Sequence, residues 1–123
     1  VRFLGYRRDM DNVYAALDVV VNAARREAFG MVLIEPMACG KPVIGTRAGG
    51  IPEIIEEGRN GFLFDPDDAA ALTACLDRLT GDADLRRTMG EHARRTVLEK
   101  FTIAGQARAV ENIYRDISEG RSP

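Results

Sequence analysis

Cysteine, histidine, long apolar runs and an excess of either charge are all scarce in this sequence, and each scarcity closes off a class of function. Only Cys39 and Cys75 occur in 123 residues, too few for a disulfide framework. Cys39 stands in an Ala-Cys-Gly context suited to a small buried residue, so a reducing, cytoplasmic setting is expected. His92 is the single histidine, with no serine, cysteine or carboxylate motif around it to make it a catalytic base, and it reads as a surface or boundary residue. No apolar run approaches a membrane span, and no charged segment followed by a hydrophobic one opens the chain, so no transmembrane segment is expected. The 17 basic and 19 acidic residues leave a formal charge of -2, which gives no general field for nucleic acid or an anionic membrane. Any anion must be held locally.

What the sequence does have is the composition of an ordinary globular domain, 46% hydrophobic and 29% charged, in a length that fits one core. Short apolar runs alternate with longer helical patterns, which predicts an α/β fold with a Rossmann-like parallel sheet and flanking helices. About four strands are expected, over residues 2–4, 19–22, 42–45 and 61–64. Between the first two, Met10, Val13, Tyr14 and Leu17 recur at helical spacing, and a second helix is expected over 29–38. Pro52 and Glu53 open a short third helix that Gly58 stops.

The last third of the chain reads as helical, in three segments divided at Gly81-Asp82 and Phe101-Thr102. Their apolar stripes are Leu72, Cys75, Leu76 and Leu79; Leu85, Met89, Ala93 and Val97; and Ile103, Ala107, Val110, Tyr114 and Ile117. Thr102 is placed to cap the last helix, and Gly90 marks a break in the one before it.

The chemistry concentrates between Asn22 and Gly50. A strand ends near Asn22, a polar stretch Arg25-Arg26-Glu27 follows, and a helix begins around Phe29-Gly30. Open parallel sheets bind ligands just beyond the carboxyl ends of their strands. A helix amino terminus there offers unpaired N–H groups and partial positive charge, and Gly30 has no side chain to obstruct a diphosphate. Glu27 precedes that helix and Glu35 lies more than a turn inside it, two acceptors for sugar hydroxyls reaching the site from different directions. Phe29, Val32 and Leu33 read as core by side chain, with only their main chain facing ligand.

Glu27 and Glu35 bracketing Ala28 to Ile34, then Met37-Ala38-Cys39-Gly40-Lys41-Pro42-Val43-Ile44, then Gly49-Gly50-Ile51-Pro52-Glu53, form an ordered series. With Phe3-Leu4-Gly5, Asn60-Gly61-Phe62-Leu63 and Asp65-Pro66-Asp67 it resembles the family 4 (group 1) retaining glycosyltransferases of the GT-B fold over nearly the whole chain. The resemblance implies that residues 1–123 are part of the carboxyl-terminal, donor-binding domain. It implies retaining transfer from a nucleoside diphosphate sugar, UDP- or GDP-linked, without a metal ion or other cofactor. It places Glu27 in the catalytic site, bonded to hydroxyls of the donor sugar, and Glu35 on the ribose hydroxyls. Donor contacts fall on Phe29, Gly30, Met31 and Val32, with the amides of Gly30, Met31 and Val32 receiving phosphates, and the nucleobase edge near Tyr6 and Arg7. Gly49-Gly50 corresponds to a loop close to the nucleotide.

Two departures stand out. Pro36 occupies a position where the family often has alanine, and a proline inside a helix predicts a kink or early break. The family's strands ahead of this region carry an Arg and a Lys for the diphosphate, and this chain has neither at matching positions. The acceptor-binding half of the fold is the implied partner, and without it the chain alone is expected to be inactive. The last helix would then have an uncovered apolar face and self-associate. A non-catalytic nucleotide-sugar-binding module or a structural fragment is the alternative reading. Residence at the inner face of a membrane, through Arg86-Arg87 and Arg94-Arg95, stands beside the bland reading of a solvated helix face. Asp-x-Asp at Asp9, Asp65 and Asp82 reads as helix capping and loop chemistry, not as metal binding.

Overall fold

The computed structural model describes residues 1–121. In chain order its elements are α1 (Met10–Ala16), β1 (Val20–Asn22), α2 (Met31–Ala38), β2 (Val43–Thr46), α3 (Ile51–Ile54), β3 (Gly61–Phe64), α4 (Ala69–Gly81), α5 (Ala83–Lys100) and α6 (Ile103–Ser118). The strands run parallel in the order β1-β2-β3, with Val20 opposite Val43 and Ile44 opposite Phe62.

Every residue of β2 and β3 is buried, as expected of strands covered on both faces. Successive side chains point to opposite faces, so the two strands feed two cores. Val43 and Leu63 join Leu33, Ile34 and Met37 of α2, Ile51 and Ile54 of α3, and Ala93 and Val97 of α5. Ile44, Phe62 and Phe64 join Leu79 of α4 and Met89 of α5, with Leu72, Cys75, Leu76 and Leu85 packed around them. The first two apolar stripes of the terminal helices are therefore core, and α5 serves both clusters. Where the chain turns into β3, the fully buried Asn60 accepts from Glu56 N–H (2.8 Å) and donates to Ile54 O and Thr96 Oγ1 (both 3.2 Å), tying that turn to α5.

Among the described residues three strands form instead of about four. Residues 2–4 make no ladder, and Phe3 is 94% exposed. An extended segment becomes a strand only when a neighbour takes up its backbone groups, and nothing pairs with the outer edge of β1 among the described residues. Helix α2 starts at Met31, not Phe29, and runs through Pro36 to Ala38. The proline removes the single bond that Val32 O would have accepted, and the helix ends two residues later, with Gly40 N–H bonded to Met37 O and Lys41 N–H to Pro36 O.

Nor does Gly90 break α5. A Cβ there would stand 2.1 Å from Gly40 O, so the glycine lets α5 press onto the carboxyl end of α2, where Arg94 also donates to Ala38 O at 2.8 Å. Asp68, Asp82 and Thr102 cap α4, α5 and α6 by accepting from Ala71, Leu85 and Gly105 N–H. Helix α6 buries none of its residues, and Ile103, Val110, Tyr114 and Ile117 are all exposed. No helix among the described residues is long and apolar enough to cross a membrane.

Gly90→Ala sets a gain of about 1 kcal/mol in helix propensity against overpacking onto backbone, which costs about 1–3 kcal/mol. Backbone cannot swing aside like a long side chain, so the clash is expected to win and lower the thermal midpoint by roughly 5 °C or more. A midpoint unchanged or raised in a melting experiment would contradict the close α2–α5 approach.

Candidate functional site

At the carboxyl edge of the sheet, residues 23–30 connect β1 to α2 and are fastened at several points. Asn22, buried at the end of β1, accepts from Ala24 N–H at 2.9 Å and donates through Nδ2 to Glu27 Oε2 at 3.3 Å. Thr46, buried at the end of β2, donates to Ala24 O at 2.6 Å. Gly50 N–H donates to Glu27 O at 3.3 Å. Gly49 lies so close to the same carbonyl that a Cβ would come within 1.7 Å of it, and its φ of 55° is left-handed. Gly49-Gly50 thus acts through backbone contact, as a seat for Glu27.

Gly30 caps α2 in a left-handed conformation and brings no side chain to the helix end. Leu33 N–H turns back to Gly30 O at 2.9 Å, while the N–H groups of Met31 and Val32 have no partner among the described residues. Both residues are exposed, and their unpartnered donors lie at the positive end of the helix dipole. Val32 is 47% exposed, correcting its assignment to the core; Leu33 alone of the three is buried. Phe29, 37% exposed, meets Phe101 edge-to-face with ring centroids 6.0 Å apart, which anchors the loop to the junction of α5 and α6.

The two carboxylates flank this helix end. Glu27 is half-buried, and its Cγ lies 3.8 Å from where a Gly30 Cβ would stand. Glu35 is one helical turn beyond Met31, hence on the same side of α2. Its Oε2 accepts from Tyr14 Oη at 2.8 Å, a bond that ties α1 to α2. Burial, and then the bond and charge of Glu35, push the Tyr14 phenol up to about 12. Tyr14 therefore stays a protonated donor across the neutral range.

Tyr6 and Arg7 lie on the exposed segment before α1. Arg7 is engaged by Asp9, at 2.8 Å from Nε and 2.5 Å from the terminal nitrogen, and no hydrogen bond or ion pair links either residue to Glu27 or Glu35 among the described residues. Arg25 is turned to Asp67 at 2.7 Å, and Arg47 to Glu57 and Asp65. His92 is half-buried with Nδ1 3.3 Å from Arg59 O.

A family model described as glycosyl transferases group 1 matches residues 1–96. The chain belongs to the group 1 glycosyltransferases. Among curated members, it is 40% identical over 117 residues to the N-acetyl-alpha-D-glucosaminyl L-malate synthase of Bacillus anthracis, covering 95% of this chain and 31% of that protein. It is 41% identical over 118 residues to the D-inositol 3-phosphate glycosyltransferase of Corynebacterium kroppenstedtii, covering 94% of this chain and 26% of that one. The chain thus spans about a third or less of the length of these relatives. Among solved structures, Anabaena Alr3699/HepE in complex with UDP superimposes with a TM-score of 0.84 at 34% identity, over 90% of this chain and 31% of that one. The same Anabaena protein in complex with UDP-glucose gives 0.81 at 34% identity, over 91% and 32%. Within this glycosyltransferase fold, Tyr14 and Asn22 read in the sequence only as a helix-face residue and a strand end, and Thr46 is not singled out at all, yet all three support the candidate site. A tyrosine among aliphatic positions of a helix face was the available signal for the first, since a buried phenol needs a partner.

Of the three tyrosines, one is expected to ionise near pH 12 in an ultraviolet titration, and Tyr14→Phe should remove that late transition. Because the folded-state value is raised, the stability contributed by the Tyr14–Glu35 bond is present below about pH 10 and is lost as pH rises through about 12. A Tyr14 phenol that ionises near the ordinary tyrosine value would contradict the buried bond.

Proposed function

We propose that this chain is the donor-binding part of a retaining glycosyltransferase of family 4, holding a nucleoside diphosphate sugar at the amino terminus of α2. The observation that carries the reading is the pair of open amides at Met31 and Val32, flanked by Glu27 and Glu35 at the carboxyl edge of a parallel sheet. Its support from relatives is the UDP and UDP-glucose bound by the Anabaena protein.

In this reading the amides of Gly30, Met31 and Val32 receive the diphosphate, Glu35 bonds the ribose and Glu27 bonds hydroxyls of the donor sugar. Tyr6 and Arg7 stand nearest in sequence to the nucleobase. Departure of the nucleoside diphosphate builds negative charge on its phosphate, and preorganised helix-end donors stabilise that charge more in the transition state than in the ground state. Glu27 orients the sugar as positive charge develops at its anomeric carbon; it is not assigned as a nucleophile. The reading uses no metal ion and assigns further neutralising cations and the acceptor site to a partner domain. The free thiols of Cys39 and Cys75 fit a cytoplasmic setting.

The alternative reading, a structural fragment or assembly unit without turnover, draws on the uncovered apolar face of α6. That face is assigned to the partner domain and, in the isolated chain, to a second copy. Sedimentation of the isolated chain should show concentration-dependent dimers; a strictly monomeric chain would contradict this.

Calorimetry with UDP and GDP is expected to give binding of at least one nucleotide. In the intact protein Glu27→Gln should lower turnover by about 100-fold, the scale of a mispositioned substrate, with the thermal midpoint preserved. Unchanged turnover would overturn the role of Glu27, and heat from neither nucleotide with folded protein would overturn donor binding.

A further inference from the structure

Only one of the two motif glutamates is held from a separate helix. Glu35 stands exposed on α2, and among the described residues its sole protein donor is Tyr14, which belongs to α1 and is 4% exposed. A glutamate on an open helix face ordinarily samples several rotamers and must be ordered before it can accept from a ligand. Here the bond to Oε2 at 2.8 Å restricts that freedom, while Oε1 has no donor among the described residues. The tyrosine itself is buried, which limits how far the phenol can follow Glu35 outward.

We propose that Tyr14 is a positioning residue for nucleotide recognition, pinning one oxygen of Glu35 so that the other is presented to the cis-diol of a ribonucleotide. This rests on the assignment of Glu35 to the ribose. The bond divides the labour of the carboxylate: one oxygen is fixed by protein, and one is left for a ligand hydroxyl. It also couples α1 to the site, so the segment before α1 and the ribose contact share a support. A competing explanation is that Glu35 merely satisfies a buried phenol. Both explanations require the same hydrogen bond, but only positioning makes ribose selectivity depend on the Tyr14 hydroxyl.

The test compares UDP, with GDP in parallel, against the corresponding 2′,3′-dideoxynucleotide by calorimetry on the intact protein. Four forms are used: wild type, Tyr14→Phe, Glu35→Ala and the double variant. Phenylalanine keeps the buried ring, and water can replace the lost donor at an exposed carboxylate, so the variant is expected to fold; its thermal midpoint and its dideoxynucleotide affinity check this. Wild type should prefer the ribonucleotide. Tyr14→Phe should weaken ribonucleotide binding by about 2- to 10-fold, the span of one net hydrogen bond, with dideoxynucleotide binding unchanged. In the Glu35→Ala background the same change should have no further effect on the preference, because there is no carboxylate left to position. A Tyr14→Phe protein that melts lower yet keeps the full ribose preference would overturn the proposal while leaving Glu35 in place. A wild type without ribose preference, or one that binds neither nucleotide, would overturn Glu35's assignment and Tyr14's with it.

Discussion

The backbone of Glu27 lies against Gly49 and Gly50, and the course of the loop that carries Glu27 into α2 depends on this contact. A carbonyl that accepts from Gly50 N–H, with no room for any side chain at Gly49, leaves the 23–30 loop little latitude at its centre. Asn22 and Thr46 fix the loop's start to the ends of β1 and β2, and Phe29 leans on Phe101 at its end. The loop is therefore a rigid bracket, built from strand ends and held at a helix terminus. In the proposed function the helix end supplies preorganised donors for the diphosphate without rearrangement.

The far end of α2 is fixed by a different device. Gly90 brings α5 against Gly40, and Arg94 reaches Ala38 O, so the helix that bears Glu35 is held at its carboxyl end by backbone contact and a cation on its last carbonyls. Tyr14 reaches the middle of the same helix from α1. Helix α2 is short and carries a proline, yet three separate elements locate it. That arrangement suits an element whose position, more than its intrinsic stability, matters to a ligand.

Most of this was legible in the sequence where a residue's role follows from periodicity or from an ordered motif. The parallel sheet, the stripes Leu72 to Leu79 and Leu85 to Val97, and the Thr102 cap follow from spacing and side-chain chemistry. Partners at long range were less legible. Gly90 reads locally as a helix break, and only the approach of Gly40, fifty residues away in sequence, turns it into a packing requirement. Val32 reads as core because it is apolar and beside Leu33, but a helix end open to solvent exposes it. The strand expected at residues 2–4 has the apolar character of one without a neighbour to pair with. Tyr14 and Asn22 were visible as a helix-face residue and a strand end; that their polar atoms meet Glu35 and Glu27 is a fact of tertiary structure.

The relatives are three to four times longer than this chain, and among the described residues the outer edge of β1 is unpaired and the apolar side of α6 is exposed. In the proposed function the helix terminus and paired carboxylates serve the donor, and the acceptor is assigned to another domain. The most direct test of the central claim is a crystal structure with UDP bound. The account predicts the diphosphate within hydrogen-bond distance of the Met31 and Val32 amides and a ribose hydroxyl on Glu35. A nucleotide seated elsewhere, with those amides left to water, would contradict it.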